Sequence, residues 1–375
     1  MQRLFALMLL AVSCFCTPAE VFAGEDPVTL AIGQPAPDFS LPGVDGKEWK
    51  LADFKAAKVL VVIFTCNHCP TAQAYEDRII QLTADYKNKG VAVMAISPND
   101  PAAISLSELD YTDLGDSFEE MKIRAAKKKF NFPYLYDGAS QLVARAYGPV
   151  ATPHAFVFDT DRRLRFQGRI DNMEKPTKTP TVKDTRNAID ALLAGQPVAV
   201  PVTKVFGCSI KWASKENWIE KARAEWAAEP VSLSLVSEQG IRDLLKNDSK
   251  KLRLINVWAT WCGPCVQEFP EFIAMKRMYK SRSFEFISIS ADDPANRERV
   301  LEFLTEKQSS SANYLFQSDD KYALIEAIDP KWQGALPYTI LVEPGGKIVY
   351  AKQGPIDPAA MKTLIVEHPL IGRYF

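Results

Sequence analysis

One pattern occurs twice in this chain and constrains its fold more than any other feature. The apolar run KVLVVIFT (58–65) leads into Cys66-Asn67-His68-Cys69, and LRLINVWAT (252–260) leads into Trp261 and Cys262-Gly263-Pro264-Cys265. Runs of this length, rich in β-branched residues, are too short for a free-standing helix and suit a central strand covered on both faces. Each cysteine pair precedes a helical stretch. In the first, Tyr75, Ile79, Leu82 and Tyr86 make one stripe that stops at Gly90; in the second, Pro270 falls early enough to kink the helix rather than forbid it.

The repetition continues downstream. VAVMAISPNDPA (91–102) answers FEFISISADDPA (284–295), and ATPHAFVFDTDRRLRFQGRID (151–171) answers ALPYTILVEPGGKIVYAKQGPID (335–357). Helical segments near 181–194 and 358–366 close the two halves. The order β-α-β-α-β-β-α, read twice, predicts an α/β chain of two domains in series, each a central mixed sheet flanked by helices. A length of 375 residues also exceeds what one core usually organises. The boundaries fall at 27–211 for the first domain and 231–375 for the second. Between them, 212–230 reads as a charged helical connector carrying Trp212, Trp218 and Trp226.

Residues 1–23 place Arg3 before a short apolar stretch and end on Ala23, the pattern of a secretory signal. The stretch is shorter than the roughly 20 residues of a bilayer span. Lipid attachment at Cys14 or Cys16 is the weaker reading, because Ala11 stands where a larger aliphatic residue is usual. Export to the periplasm or cell envelope is therefore expected, with no stable membrane span. A net charge of −1 gives no sign of nucleic-acid binding. Beyond residue 23 the cysteines are Cys66, Cys69, Cys208, Cys262 and Cys265. The number is odd, and it is too sparse for a disulfide scaffold, so reaction rather than stapling explains them.

Two cysteines spaced by two residues at a strand-to-helix junction have a specific chemistry. The helix N-terminus offers unpaired N–H groups and the positive end of a dipole, which favour a thiolate. The thiolate is the nucleophile of disulfide exchange, and the second sulfur, one turn on, resolves the mixed disulfide. Cys66 and Cys262 are expected to attack, and Cys69 and Cys265 to resolve. His68, partly protonated near neutral pH, is expected to stabilise the Cys66 thiolate and make that pair the more oxidising. A closed zinc site lacks ligands, since only His68 and His154 accompany the first pair; Cu(I) is the metal that would tolerate such a set.

These residues carry a resemblance. The second half is similar to the TlpA/ResA-like thiol–disulfide oxidoreductases through NVWATWCGPCVQEFP and ALPYTILVEPGGKIV. The first resembles the peroxiredoxin-like AhpC/TSA (redoxin) branch through GQPAPDFSLPGVDGKEWKLADF, FTCNHCP, ATPHAFVFD and FGCSIKW. The resemblance implies two thioredoxin folds. It implies an active-site carboxylate at Glu268, with Asn256 where thioredoxin has a buried aspartate. It also implies cis-prolines at Pro153 and Pro337, whose preceding residues Thr152 and Leu336 line a substrate edge beside Trp261. Peroxiredoxins place Pro and Thr ahead of the peroxidatic cysteine, where this chain has Val59 and Ile63. Peroxidase activity is accordingly the alternative reading, as is a Cu(I) module using His154. Cys208 reads equally as an inert buried thiol or as a resolving cysteine folded back onto Cys66 or Cys69. The function expected is an exported oxidoreductase without a cofactor that exchanges disulfides with proteins or small thiols. Its two halves are expected to relay electrons to each other, fed by an upstream donor that the sequence does not identify.

Overall fold

The computed structural model describes residues 27–375; the signal segment expected at 1–23, with Cys14 and Cys16, lies outside the described residues. Two mixed sheets organise the chain. The first has five strands in the order Tyr134–Tyr136, Val91–Ser97, Val59–Phe64, His154–Phe158, Leu164–Gly168. The first three run parallel to one another, His154–Phe158 runs antiparallel to Val59–Phe64, and Leu164–Gly168 runs antiparallel to His154–Phe158. The second has six, in the order Ile348–Gln353, Tyr338–Val342, Leu252–Trp258, Phe284–Ser290, Ala312–Phe316, Ser234–Val236.

The two apolar runs are the central strands, and side-chain alternation divides each between two cores. Val59, Val61 and Ile63 pack with Tyr75, Ile79, Leu82 and Tyr86 of the following helix, while Leu60, Val62 and Phe64 pack with Tyr147 and Phe156 on the other face. Leu252, Leu254 and Trp258 likewise face Phe269 and Phe272, leaving Ile255 and Val257 for the opposite layer. The paired Asp-Pro-Ala segments are both short 3-10 turns, in which Asp100 and Asp293 accept the N–H of Ala102 and Ala295.

The expected element order needs a correction. Each half contains an additional strand and helix, Tyr134–Tyr136 with Leu142–Tyr147 or Ala312–Phe316 with Lys321–Ile328, so the order is β-α-β-α-β-α-β-β-α. The second half also opens with a strand and helix of its own, Ser234–Val236 and Glu238–Lys246. The first half's edge strand is only three residues long, too short to impose a period on the sequence.

The connector is helical over Glu216–Ala227. Trp212 is buried in the first core, Trp218 is exposed, and Trp226 lies beneath the Arg277 guanidinium at 5.0 Å. The halves also touch through a loop of the first. Tyr279 donates to the Thr112 carbonyl at 3.0 Å, and Asp113 accepts from Lys127, Thr363 and Arg373 at 2.9–3.0 Å. Burial pushes the Asp113 carboxyl up, but Arg373 and the other donors outweigh it and hold it well below the usual range. Arg373→Ala removes a hydrogen bond to a charged group, and is expected to weaken this contact by about 1.5–3 kcal/mol. Faster amide exchange across 109–114 and 363–373 in the variant is the measurement, and unchanged exchange would contradict it.

Candidate functional site

Both cysteine pairs sit at the C-terminal ends of the central strands, but the helices after them begin at different positions. In the second half the helix is Gly263–Met278 and Cys262 is its N-cap, with Sγ accepting the Cys265 N–H at 3.3 Å. In the first the helix is Pro70–Tyr86, and Cys69 occupies the N-cap instead of Cys66. The reason is local: a residue preceding proline is steered away from helical angles, and Cys69, before Pro70, has φ −69° and ψ 121°.

The helix start therefore favours an anion at Cys69, where the sequence pattern leads one to expect it at Cys66. Cys69 Sγ receives N–H groups from Ala72 at 3.5 Å and from Cys208 at 3.4 Å. Burial alone pushes its pKa up, but the thiols of Cys208 and Cys66, the Ala72 N–H and the charge on His68 outweigh burial and bring it well below the usual thiol range. The Thr152 carbonyl, 3.3 Å away, favours the neutral thiol and is outnumbered. Cys66 moves the other way, raised by burial, by its bond to Cys69 and by the Asp116 charge.

Asp116 is the residue that sequence reasoning missed. It is buried, and Oδ1 accepts the backbone N–H of Asn67 at 2.8 Å and of His68 at 3.0 Å. Oδ2 lies 2.6 Å from His68 Nδ1 and accepts from Asn99 Nδ2 at 2.7 Å. Desolvation opposes charge on His68, yet the charge and hydrogen bond of Asp116 prevail and raise its pKa. Asp116 is correspondingly held below the ordinary carboxylate value against the cost of burial. The pair sorts the thiols: the imidazolium attracts charge to Cys69, while the carboxylate repels it from Cys66.

His154 is not part of this cluster. Its Nε2 faces Gln167 Oε1 at 3.0 Å and its Nδ1 accepts from Val150. Desolvation pushes its pKa down to about 4, so it is a neutral core histidine. Thr152-Pro153 and Leu336-Pro337 are both cis. Thr152 Oγ1 lies 3.1 Å from Cys66 Sγ.

The two proline loops differ in what covers them. Leu336 is partly exposed, and among the described residues its N–H has no backbone partner. The Thr152 N–H, expected to be open to a substrate, donates to the Cys208 carbonyl at 2.9 Å. Residues 201–212 form a strap over this loop. Thr203 N–H and the Pro201 carbonyl bond to the backbone of Gln167, and Gly207, at φ +146°, lies so close that a Cβ there would come within 2.0 Å of the Thr152 oxygen. The strap brings Cys208 onto Cys69, making a three-thiol cluster in which Cys66 (2% exposed) and Cys69 (0%) are enclosed and Cys208 alone is partly exposed.

In the second half, Cys262 and Cys265 form a disulfide, with Trp261 exposed beside it. Glu268 is buried behind Cys265; its carboxylate accepts from the Ile356 N–H at 2.9 Å and faces Asn256 Nδ2 at 3.4 Å. Desolvation outweighs these bonds and raises its pKa. A carboxyl raised on folding supports the fold below the unfolded value of about 4.3 and weakens it as pH rises through the folded value. Glu268→Gln is therefore expected to stabilise the second domain at neutral pH while slowing its disulfide exchange roughly 10²-fold. Thermal unfolding and exchange rates across pH check both parts; an unchanged rate would remove Glu268 from proton transfer.

Comparison with known proteins assigns the two halves separately. Residues 32–167 match the AhpC/TSA family and residues 230–365 match Redoxin. The thiol-disulfide oxidoreductase ResA of Bacillus subtilis (strain 168) is 29% identical over 100 residues, which are 27% of this chain and 51% of that protein. The chain thus spans about half the length of that relative. ResA of Bacillus thuringiensis subsp. konkukian is 24% identical over 167 residues, covering 44% of this chain and 85% of the relative. Among solved structures, a hypothetical protein of Sinorhizobium meliloti 1021 is 36% identical with a TM-score of 0.44, covering 50% of this chain and 97% of its own. A putative thiol:disulfide interchange protein DsbE of Chlorobium tepidum is 22% identical with a TM-score of 0.33, covering 44% and 98%.

Proposed function

We propose, for a chain that is a tandem of two thioredoxin-like domains, one of the AhpC/TSA and one of the Redoxin family, that it is a thiol–disulfide oxidoreductase acting outside the cytosol. One observation carries the reading: Cys262 caps a helix, is bonded to the enclosed Cys265, and lies in a domain whose Leu336 N–H has no backbone partner among the described residues. In the reduced state Cys262 attacks a partner disulfide, with the helix N-terminus holding its thiolate. The partner strand pairs with the Leu336 backbone against Trp261. Cys265 then attacks Cys262 and releases the partner, with Glu268 taking the Cys265 proton. The first domain exchanges electrons through its own thiols, and the fusion lets the two couples pass them between domains.

The Cu(I) alternative has a weaker basis. Cys66, His68 and Asp116 place ligand atoms within 4.8 Å of one another, but His68 Nδ1 is committed to Asp116. No helix of the described residues is long and apolar enough to cross a membrane. The test is insulin reduction with dithiothreitol, together with trapping of mixed disulfides by Cys265→Ser. Cys262→Ser is expected to remove both the second domain's reductase activity and the trapped species. Retention of either would sink the assignment, and equal potentials at the two centres would remove the relay.

A further inference from the structure

Among the described residues the second domain's proline-loop N–H at Leu336 has no backbone partner; the first domain covers the same edge with its own chain. Three independent contacts hold that cover in place. Cys208 pairs through its carbonyl with the Thr152 N–H at 2.9 Å, residues 201–203 bond to Gln167, and Gly207 fits against the Thr152 carbonyl where no side chain has room. The arrangement is that of an extended partner adding to an exposed backbone edge, except that the partner is internal and carries a cysteine. Its N–H points at Cys69 Sγ from 3.4 Å, and its thiol packs on the Cys66–Cys69 cluster.

We propose that Cys208 is the redox partner of Cys69 and that residues 206–210 occupy the position a substrate strand takes in an open domain. The oxidised state of the first domain is then a Cys69–Cys208 disulfide, with Cys66 left as a thiol. This rests on the thiol-exchange reading and specifies which sulfurs serve it. Access supports the choice: of the three cysteines only Cys208 is partly exposed, so it is the residue an outside sulfur meets first. Cys66 is enclosed, with its Sγ against Thr152 Oγ1.

The exchange balances as follows. As Cys208 attacks a partner disulfide R–S–S–R′, its proton passes to the Cys69 thiolate acting as base, Cys208–S–S–R forms and R′–S⁻ is expelled. That leaving thiolate takes the proton back from Cys69. Cys69 attacks Cys208 Sγ, forms the Cys69–Cys208 bond and expels R–S⁻. The partner has gained two electrons and the two cysteines have lost them. In reverse, an outside thiolate attacks the exposed Cys208, and Cys69 leaves as the stabilised anion; low basicity in the departing thiol speeds that step.

The experiment uses the full chain, reduced and then equilibrated in a glutathione redox buffer, quenched in acid, alkylated, digested and mapped by mass spectrometry. The expected principal product from the first domain is a Cys69–Cys208 cross-linked peptide with Cys66 alkylated. A Cys66–Cys69 loop disulfide with Cys208 alkylated would overturn the proposal. In a Cys262→Ser/Cys265→Ser background, Cys208→Ser is expected to slow exchange with oxidised glutathione at least tenfold, and an unchanged rate would also overturn it. The Cys262–Cys265 peptide of the unmutated chain is the internal control. If it exchanges while Cys208 stays free, only the present inference fails; if it too is inert, the oxidoreductase reading fails with it.

Discussion

Asp116→Asn is expected to destabilise the first domain by about 3–5 kcal/mol, the cost of removing one partner from a buried ion pair. The geometry makes the substitution worse than its isosteric shape suggests. Both carboxylate oxygens of Asp116 accept, each from two donors. An amide supplies only one acceptor, so its NH₂ must face either two backbone N–H groups or the His68 ring and Asn99. His68 is then left enclosed beside the thiols without its carboxylate partner.

The pH dependence follows from the two shifts. Asp116 is depressed, so its contribution is present above the unfolded value of about 3.9 and is lost as pH falls through the lower folded value. His68 is raised, so its contribution is full below about 6.5 and is lost as pH rises through the higher folded value. The wild-type domain thus draws most from the pair in mildly acidic solution, and the variant's deficit is largest there. Amide exchange over Val59–Phe64, read from pH 4 to 8, isolates this domain from its neighbour. Protection that matches wild type throughout would show the pair to be dispensable.

Much of the architecture was legible because it depends on short-range pattern. The repeated apolar runs had to be central strands, since all six residues of Val59–Phe64 are buried and a polar face would have shown as alternation. The two X-Pro steps followed from the resemblance and are both cis. What stayed hidden is long-range. Asp116 lies 48 residues from His68 in the chain, in a loop just before the Ser117 cap of the next helix, and nothing in Asp-Leu-Gly-Asp-Ser announces a buried anion. The location of the favoured thiolate is a different case, because its signal was present. Pro70 directly after Cys69 delays the helix past the second sulfur, and reading the pair by analogy with Cys262–Cys265 passed over it. Cys208 could be named as a candidate but not placed, since its position depends on the strap's fit around Gly207.

That shift of one helical start leads to the second large effect. In the reduced protein carrying Cys262→Ser and Cys265→Ser, the ultraviolet absorbance of a thiolate is expected to persist below the ordinary thiol range. Cys69→Ser should abolish it and Cys66→Ser should leave it. The sign is fixed by a depressed folded pKa: the reduced state is stabilised above it and loses that support as pH falls through it. Stabilising the reduced form makes the couple more oxidising, by about 30 mV for each tenfold change in the equilibrium constant. The first centre is therefore expected to be the stronger oxidant, with Cys69 rather than Cys66 as the cause. In the Cys69→Ser variant, exchange at this centre should fall to background, because the stabilised thiolate is gone and burial still disfavours an anion at Cys66 and Cys208. An absorbance lost in Cys66→Ser and kept in Cys69→Ser would return the favoured thiolate to the first cysteine. It would also remove the helix N-cap as the reason the two centres differ.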